Sequence, residues 1–314
     1  MNSKLVVIAI SGNSLISNPA QMSVLDQYRA AGETSCHIAT LVKAGYRVVI
    51  THGNGPQVGF ILLRSELAKD TLHQVPLESC VADTQGAIGY QIQQTLSNEL
   101  RRQDIWKQVA TLITQVVVDK KNPAFQNPSK PIGPFLSEED ALYQQEKEGW
   151  SLIEDAGRGW RRVVPSPKPL EIIELSSIQS LLDQDIIVVA GGGGGIPVIR
   201  TEDGSLKGCP AVIEKIRDLL YSPKEINAKT FIISTTVDQV ALHFGKPNQT
   251  FIDRMSLAEA RKYMEEGYFA AGSMKPKIEA CIDFLENGGE EVIITQAHLL
   301  GKAIQGETGT HIKD

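Results

Sequence analysis

The chain reads as an α/β protein built on a largely parallel sheet, and three observations say so. Short, wholly apolar, β-branched runs recur along it; helical patterns separate them; and three of the runs empty into glycine-rich turns. A run apolar on both faces is what a strand buried on both sides requires, and alternation with helices favours parallel pairing. In such sheets ligands bind at the carboxyl ends of the strands, where these turns lie.

The first run is Leu5-Val6-Val7-Ile8-Ala9-Ile10, ending at Ser11-Gly12-Asn13-Ser14. A helical stretch to about Leu41 leads to Arg47-Val48-Val49-Ile50-Thr51, which ends at His52-Gly53-Asn54-Gly55-Pro56. Helical pattern resumes to about Asp70 and again over about 81–103, and residues 109–118 read as a third strand. Residues 119–169 differ. Seven prolines and the cluster Arg158-Gly159-Trp160-Arg161-Arg162 interrupt any long helical pattern, which predicts an inserted subdomain of short strands and turns. Alternation returns with Ile186-Ile187-Val188-Val189-Ala190, followed by the five glycines 191–195, and continues at 230–235 and 291–295. The expected organisation is a single domain over 1–314. An N-lobe spans 1–190, a protruding subdomain lies near 119–169, and a C-lobe covers 191–314.

Composition narrows the function. The chain has 314 residues, 42% hydrophobic and 22% charged, with a formal net charge of −6. That balance offers no basic footprint for nucleic acid. No apolar run approaches the roughly 18–20 residues that cross a bilayer, and the first residues carry no secretory pattern. The four cysteines (Cys36, Cys80, Cys209, Cys281) are far apart and lack metal-ligand spacing, as reduced residues of a cytoplasmic protein would be.

Glycine brings backbone amides close to an anion, and amides turned inward form a phosphate nest. Three such loops, at Gly12, at Gly53 and Gly55, and at Gly192, Gly193 and Gly194, are predicted to converge, with Asn13 and Asn54 offering amide N–H donors. Lys130 sits between Pro128 and Pro131, and Lys277 follows Gly272-Ser273-Met274-Lys275-Pro276 at the start of a helix over about 278–285. Lys215 follows Ala211-Val212-Ile213. A helix N-terminus with an ammonium suits a transferring phosphate. There is no P-loop signature, protein-kinase loop or Ser/His/Asp pattern, so phosphoryl transfer by charge stabilisation is the expected chemistry.

Five motifs carry a family resemblance. They are Thr51-His52-Gly53-Asn54-Gly55-Pro56-Gln57-Val58-Gly59, Lys130-Pro131-Ile132-Gly133-Pro134-Phe135, the stretch from Glu154-Asp155-Ala156-Gly157-Arg158 to Ser166-Pro167-Lys168-Pro169, Gly192-Gly193-Gly194-Gly195-Ile196-Pro197, and Gly272-Ser273-Met274-Lys275-Pro276-Lys277. With these the chain resembles carbamate kinases, of the amino acid kinase superfamily, over essentially its full length. The resemblance implies an open αβα sandwich with a mainly parallel central sheet, a protruding subdomain and a homodimer. It implies reversible transfer between ATP, with Mg²⁺, and carbamate, giving ADP and carbamoyl phosphate, in arginine or related nitrogen catabolism. By position, Gly12, Asn13, Gly53, Asn54 and Gly55 would hold the carbamoyl phosphate end. The loop of Gly192, Gly193 and Gly194 would form one wall. Lys130, Lys215 and Lys277 would be catalytic, and Thr235, Asp238, Gly272, Ser273 and Met274 would lie by the nucleotide.

Two departures stand out. The family's Ala-Leu-Gly-Gly-Asn-Ala reads Ala9-Ile10-Ser11-Gly12-Asn13-Ser14 here, and Ser11 would carry a cost if that position needs a positive φ. The family's Val-Ile-Asp-Lys-Asp reads Val212-Ile213-Glu214-Lys215-Ile216, so the Asp expected to orient the neighbouring lysines is Ile216. Ser222-Pro223-Lys224-Glu225 reads as a capping box with proline at the first helical position, so segment 214–222 is expected to be remodelled. These departures support a second expectation, a catalytically impaired paralogue that binds a ligand or regulates a partner.

Overall fold

Every residue of Leu5–Ile10 is buried, and this strand forms the axis on which the rest is assembled. The structure, a computed structural model, describes residues 4–12, 23–154, 159–213, 225–270 and 273–314. In chain order come β1 (Leu5–Ile10), α1 (Val24–Lys43), β2 (Arg47–His52), α2 (Gly55–Leu67) and α3 (Leu77–Arg102). They are followed by β3 (Val109–Thr111), β4 (Gln115–Val118), β5 (Lys130–Leu136), α4 (Glu138–Glu148), β6 (Leu152–Glu154), β7 (Trp160–Val164) and β8 (Pro169–Ile172). Next are α5 (Leu175–Asp183), β9 (Ile187–Val189), β10 (Ile196–Arg200), β11 (Leu206–Gly208) and β12 (Ala228–Thr235). Then come β13 (Val240–Leu242), β14 (Thr250–Ile252), β15 (Arg254–Ser256), α6 (Leu257–Glu265), α7 (Lys275–Glu286), β16 (Glu291–Gln296), α8 (Leu300–Ala303) and β17 (Thr310–Lys313).

The central sheet has eight strands in the order β15-β17-β16-β12-β1-β2-β9-β3. All pairs from β16 to β3 are parallel; only β17 turns against β16. Period-two alternation along the strands fills both faces. Val7, Val49, Val188, Phe231 and Ile233 meet α5 and α7 through Ile178, Leu182, Ile278 and Phe284. Val6, Ile8, Ile10, Ile50 and Ile232 meet α1 and α3 through Ile38, Leu41, Ile88, Ile92 and Leu96. The result is the expected αβα sandwich with a mainly parallel sheet. The boundary expected at 190/191 falls between β9 and the glycine run. Beyond it, β10 and β11 join β4 and β8 in a second sheet, ordered β11-β10-β4-β8.

The single strand expected over 109–118 is two strands in two sheets. The chain breaks at Thr114, whose N–H donates to Gln85 Oε1 (2.8 Å) and whose hydroxyl donates to the Leu112 carbonyl (2.8 Å). The excursion after β4 contains the three-stranded sheet β5-β7-β6, as short strands were expected there. It also contains α4, which was not. That helix had a signal: Ser137 caps it by accepting from the Asp140 N–H (3.1 Å), three acids fill its first turn, and Gly149 closes it in the left-handed conformation. The helix start expected at Ser222 and the remodelling expected over 214–222 lie outside the described residues. Residues 225–227 form a turn, with Asn227 at φ 54°, and β12 begins at Ala228.

Candidate functional site

Strand register brings the glycine loops together. Ile10 at the end of β1 lies opposite both His52 of β2 and Ser234 of β12, and Ile50 pairs with Val189 of β9. The carboxyl ends of β12, β1, β2 and β9 are therefore adjacent, and the turns at 235, 12, 53 and 191 leave from one edge. Ser11 N–H donates to the Ser234 carbonyl (3.0 Å), and Gly53 N–H donates to the Ile10 carbonyl (2.9 Å). A Cβ on Gly12 would stand 3.5 Å from Gly53 C and from Gly55 N, so the first two loops touch. The backbone at Ser11 stays out of the left-handed region, so the replacement of glycine there carries no conformational cost of that kind.

The run 191–195 is not a flexible turn. Gly193 adopts φ 68°, and a Cβ on it would stand 2.1 Å from Asn54 Nδ2; one on Gly192 would stand 2.3 Å from His52 Nε2. No side chain fits in either place. Thr51 donates from Oγ1 to the Gly191 carbonyl (2.9 Å), Gly191 N–H donates to Thr114 Oγ1 (2.9 Å), and Gln85 Nε2 donates to the carbonyls of Thr114 (3.0 Å) and Gly192 (2.9 Å). Gln85 and Thr114 thus hold the wall in place, though neither stood out in the sequence. Their only signal was a polar residue at a core position of a helix and another between two apolar strands.

The hydroxyl of Thr84 donates to the Val81 carbonyl (2.6 Å), so its oxygen can only accept from Asn54 Nδ2 (3.0 Å). One N–H of the Asn54 amide is thus taken by Thr84, the other stays available as expected, and Oδ1 is buried and unpartnered. His52 is buried beside it, with Nδ1 3.2 Å from the Gly53 carbonyl, and burial lowers its pKa to about 4. It is neutral at neutral pH and leaves any positive charge of the site to lysines and helix ends.

Lys130 opens β5, opposite Val164 of β7. Ile132, Val164, Ile196 and Val212 pack with Val58 of α2 in one cluster, which ties the start of β5 to the residues flanking the glycine run. Ile213 lies against the same wall, its carbonyl 2.8 Å from where a Cβ on Gly194 would be. Asn13, Lys215, Ile216, Pro223 and Gly272 lie outside the described residues.

On the other side of β1, Thr235 is buried at the end of β12 opposite Gln296, whose Nε2 donates to Asp238 (2.7 Å). The helix α7 precedes β16 and runs against it, so its N-terminus, with Ser273, Met274 and Lys277, lies toward the same edge of the sheet. Lys277 donates from Nζ to the Ser273 carbonyl (3.0 Å), and burial holds its ammonium below the usual lysine range. The buried thiols of Cys80 and Cys209 are pushed up to about 11 by desolvation and are not nucleophiles. Among the described residues no three His, Cys, Asp or Glu side chains are grouped to cage a metal, and no helix is long and apolar enough to cross a membrane.

Known proteins share this family and fold. The model of the amino acid kinase family matches residues 4–296. The chain is 48% identical to a carbamate kinase-like protein, YahI, of Escherichia coli over 98% of each chain. It is 46% identical to the carbamate kinase of Pyrococcus furiosus, over 98% of this chain and 99% of that one. Among solved structures, the carbamate kinase of Giardia lamblia bound to AMP-PNP superposes with a TM-score of 0.91 at 38% identity, covering 99% of both chains.

Proposed function

The chain belongs to the amino acid kinase family, on its carbamate kinase branch, and we propose that it is a cytoplasmic carbamate kinase that acts as a homodimer. It moves a phosphoryl group reversibly between ATP and carbamate, running from carbamoyl phosphate toward ATP in arginine or related nitrogen catabolism. The observation that carries this reading is the single edge onto which β12, β1, β2 and β9 empty their loops.

In the proposed arrangement the loops at Gly12, Asn13, Gly53, Asn54, Gly55 and Gly192–Gly194 hold carbamoyl phosphate against the N-terminus of α2. Thr235, Asp238 and the turn of Gly272, Ser273 and Met274 hold the nucleotide, as a neighbouring structure with bound AMP-PNP supports. Residues 1–190 so supply mainly the carbamate side and 191–314 mainly the nucleotide side. A terminal phosphate oxygen of ADP attacks phosphorus, the bond to the carbamate oxygen breaks, and Lys130, Lys215 and Lys277 neutralise charge on the transferring group. Magnesium accompanying the nucleotide would add positive charge beside Lys130, Lys215 and Lys277.

The alternative, an impaired paralogue that binds a ligand or a partner, rests on Ile216 and Pro223, outside the described residues. The test is ATP formation from carbamoyl phosphate and ADP by the purified chain; no ATP above a protein-free control rejects the kinase reading.

A further inference from the structure

Gln57 is only 7% exposed, and among the described residues neither its Oε1 nor its Nε2 has a hydrogen-bond partner. Leaving both ends of a buried primary amide unsatisfied is costly, and folded proteins rarely do so without a use for the group. Gln57 occupies the third position of α2, and side chains on a helix lean toward its N-terminus, here the loop of Gly53 and Asn54. Asn54 lies three residues earlier on the same helical face, fully buried, with Nδ2 on Thr84 and Oδ1 unpartnered. The residues that follow are engaged with protein: Val58 with Ile132, and Gly59 with Gly133. Three unpartnered amide atoms therefore share one face of one helical turn, at the edge where the glycine loops meet.

We propose that Gln57, with Asn54 Oδ1, determines specificity for the carbamoyl end of the substrate. A carbamoyl group is planar and presents an N–H donor beside a carbonyl acceptor. A primary amide is its complement: Gln57 Oε1 accepts the N–H while Nε2 donates to the carbonyl, and Asn54 Oδ1 accepts the second N–H. Acetyl phosphate carries a methyl group where carbamoyl phosphate carries the amino group. It would leave Oε1 and Oδ1 unpaired, and a site built to hydrogen-bond a substrate rejects such an analogue strongly. This inference rests on the carbamate kinase reading and gives that site its selectivity.

The test is steady-state ATP formation from ADP with carbamoyl phosphate or acetyl phosphate, in the wild type and in Gln57→Met. The variant is expected to raise KM for carbamoyl phosphate about 10- to 100-fold, leave KM for ADP unchanged, and reduce the kcat/KM preference over acetyl phosphate by a similar factor. Its Tm should equal or exceed that of the wild type, because an unsatisfied amide has been replaced by an apolar group of similar length. A residue of purely structural importance would lower Tm and spare the preference. Gln57→Leu serves as the second variant should methionine not be accommodated. A wild type without carbamoyl phosphate turnover overturns the kinase reading and this inference with it. An active wild type whose folded Gln57 variant keeps the full preference overturns this inference alone.

Discussion

Gly59 of α2 rests on Gly133 of β5 so closely that a methyl group on Gly59 would stand 2.6 Å from the Gly133 Cα. The helix that begins at the Asn54 loop and the strand that begins at Lys130 thus meet backbone to backbone. Glu66 and Arg162 (2.9 Å) and Lys69 and Glu148 (2.6 Å) join the same helix region to β7 and α4. Burial pushes the Glu66 carboxyl up and the Arg162 guanidinium down, each against the pull of the other. The strand that Lys130 opens is therefore seated on α2.

Gly59→Ala should displace β5, because backbone cannot yield as a flexible side chain would. Overpacking of this kind costs about 1–3 kcal/mol, and a misplaced Lys130 is expected to lower kcat by on the order of 10²-fold. Unchanged kcat in the folded variant would mean that this contact does not position the lysine.

Gly193→Ala meets two penalties, a left-handed backbone and a Cβ within 2.1 Å of Asn54 Nδ2. Gly204→Ala meets only the first, since at φ 84° nothing lies within 4 Å of its Cβ. Each should lose about 1–2 kcal/mol to backbone strain. Only the first should also lose turnover, and a stability curve with an activity assay on both variants separates the effects.

Gln85→Leu removes three hydrogen bonds, to Thr114 N, Thr114 O and Gly192 O, from a residue 1% exposed. Each buried backbone group left unpaired costs about 1–3 kcal/mol, so urea unfolding should show a loss of at least ~3 kcal/mol. A loss under 1 kcal/mol would show that the wall stands without this side chain.

How much of this was legible beforehand follows from the range of each interaction. Strands β1, β2, β9, β12 and β16 announced themselves by apolar β-branched runs, and the glycine turns by composition, because those signals are local. The break at Thr114 was hidden, since Gln85, 29 residues away, makes it. The hold of Thr84, on another helix, on one N–H of Asn54 has no local signal either. The signals of helix α4, its Ser137 cap and Gly149, are local but stand among prolines that suit short strands and turns. Gln57 belongs to the motif Thr51–Gly59, but only burial shows that its amide lacks partners among the described residues.

His52 supplies the pH dependence. Its folded pKa of about 4 lies below the ordinary 6.5, so the unfolded chain binds the extra proton first. Its contribution is complete above about pH 6.5 and falls away as pH drops toward 4, by about 3 kcal/mol in all. His37, also lowered by burial, acts in the same direction. Between pH 7 and pH 4.5 the wild type should lose more stability than His52→Gln; parallel curves would contradict a buried neutral imidazole at this site.

The central claim is that the glycine edge and Lys130 act on one phosphoryl group. It is tested most directly by measuring ATP formation from carbamoyl phosphate and ADP in the wild type and in Lys130→Ala, with ADP affinity measured by calorimetry on both. Turnover is expected in the wild type, with a fall of on the order of 10²-fold or more in the variant and ADP binding unchanged. Equal turnover in the two proteins, or a wild type that neither binds ADP nor makes ATP, would contradict it.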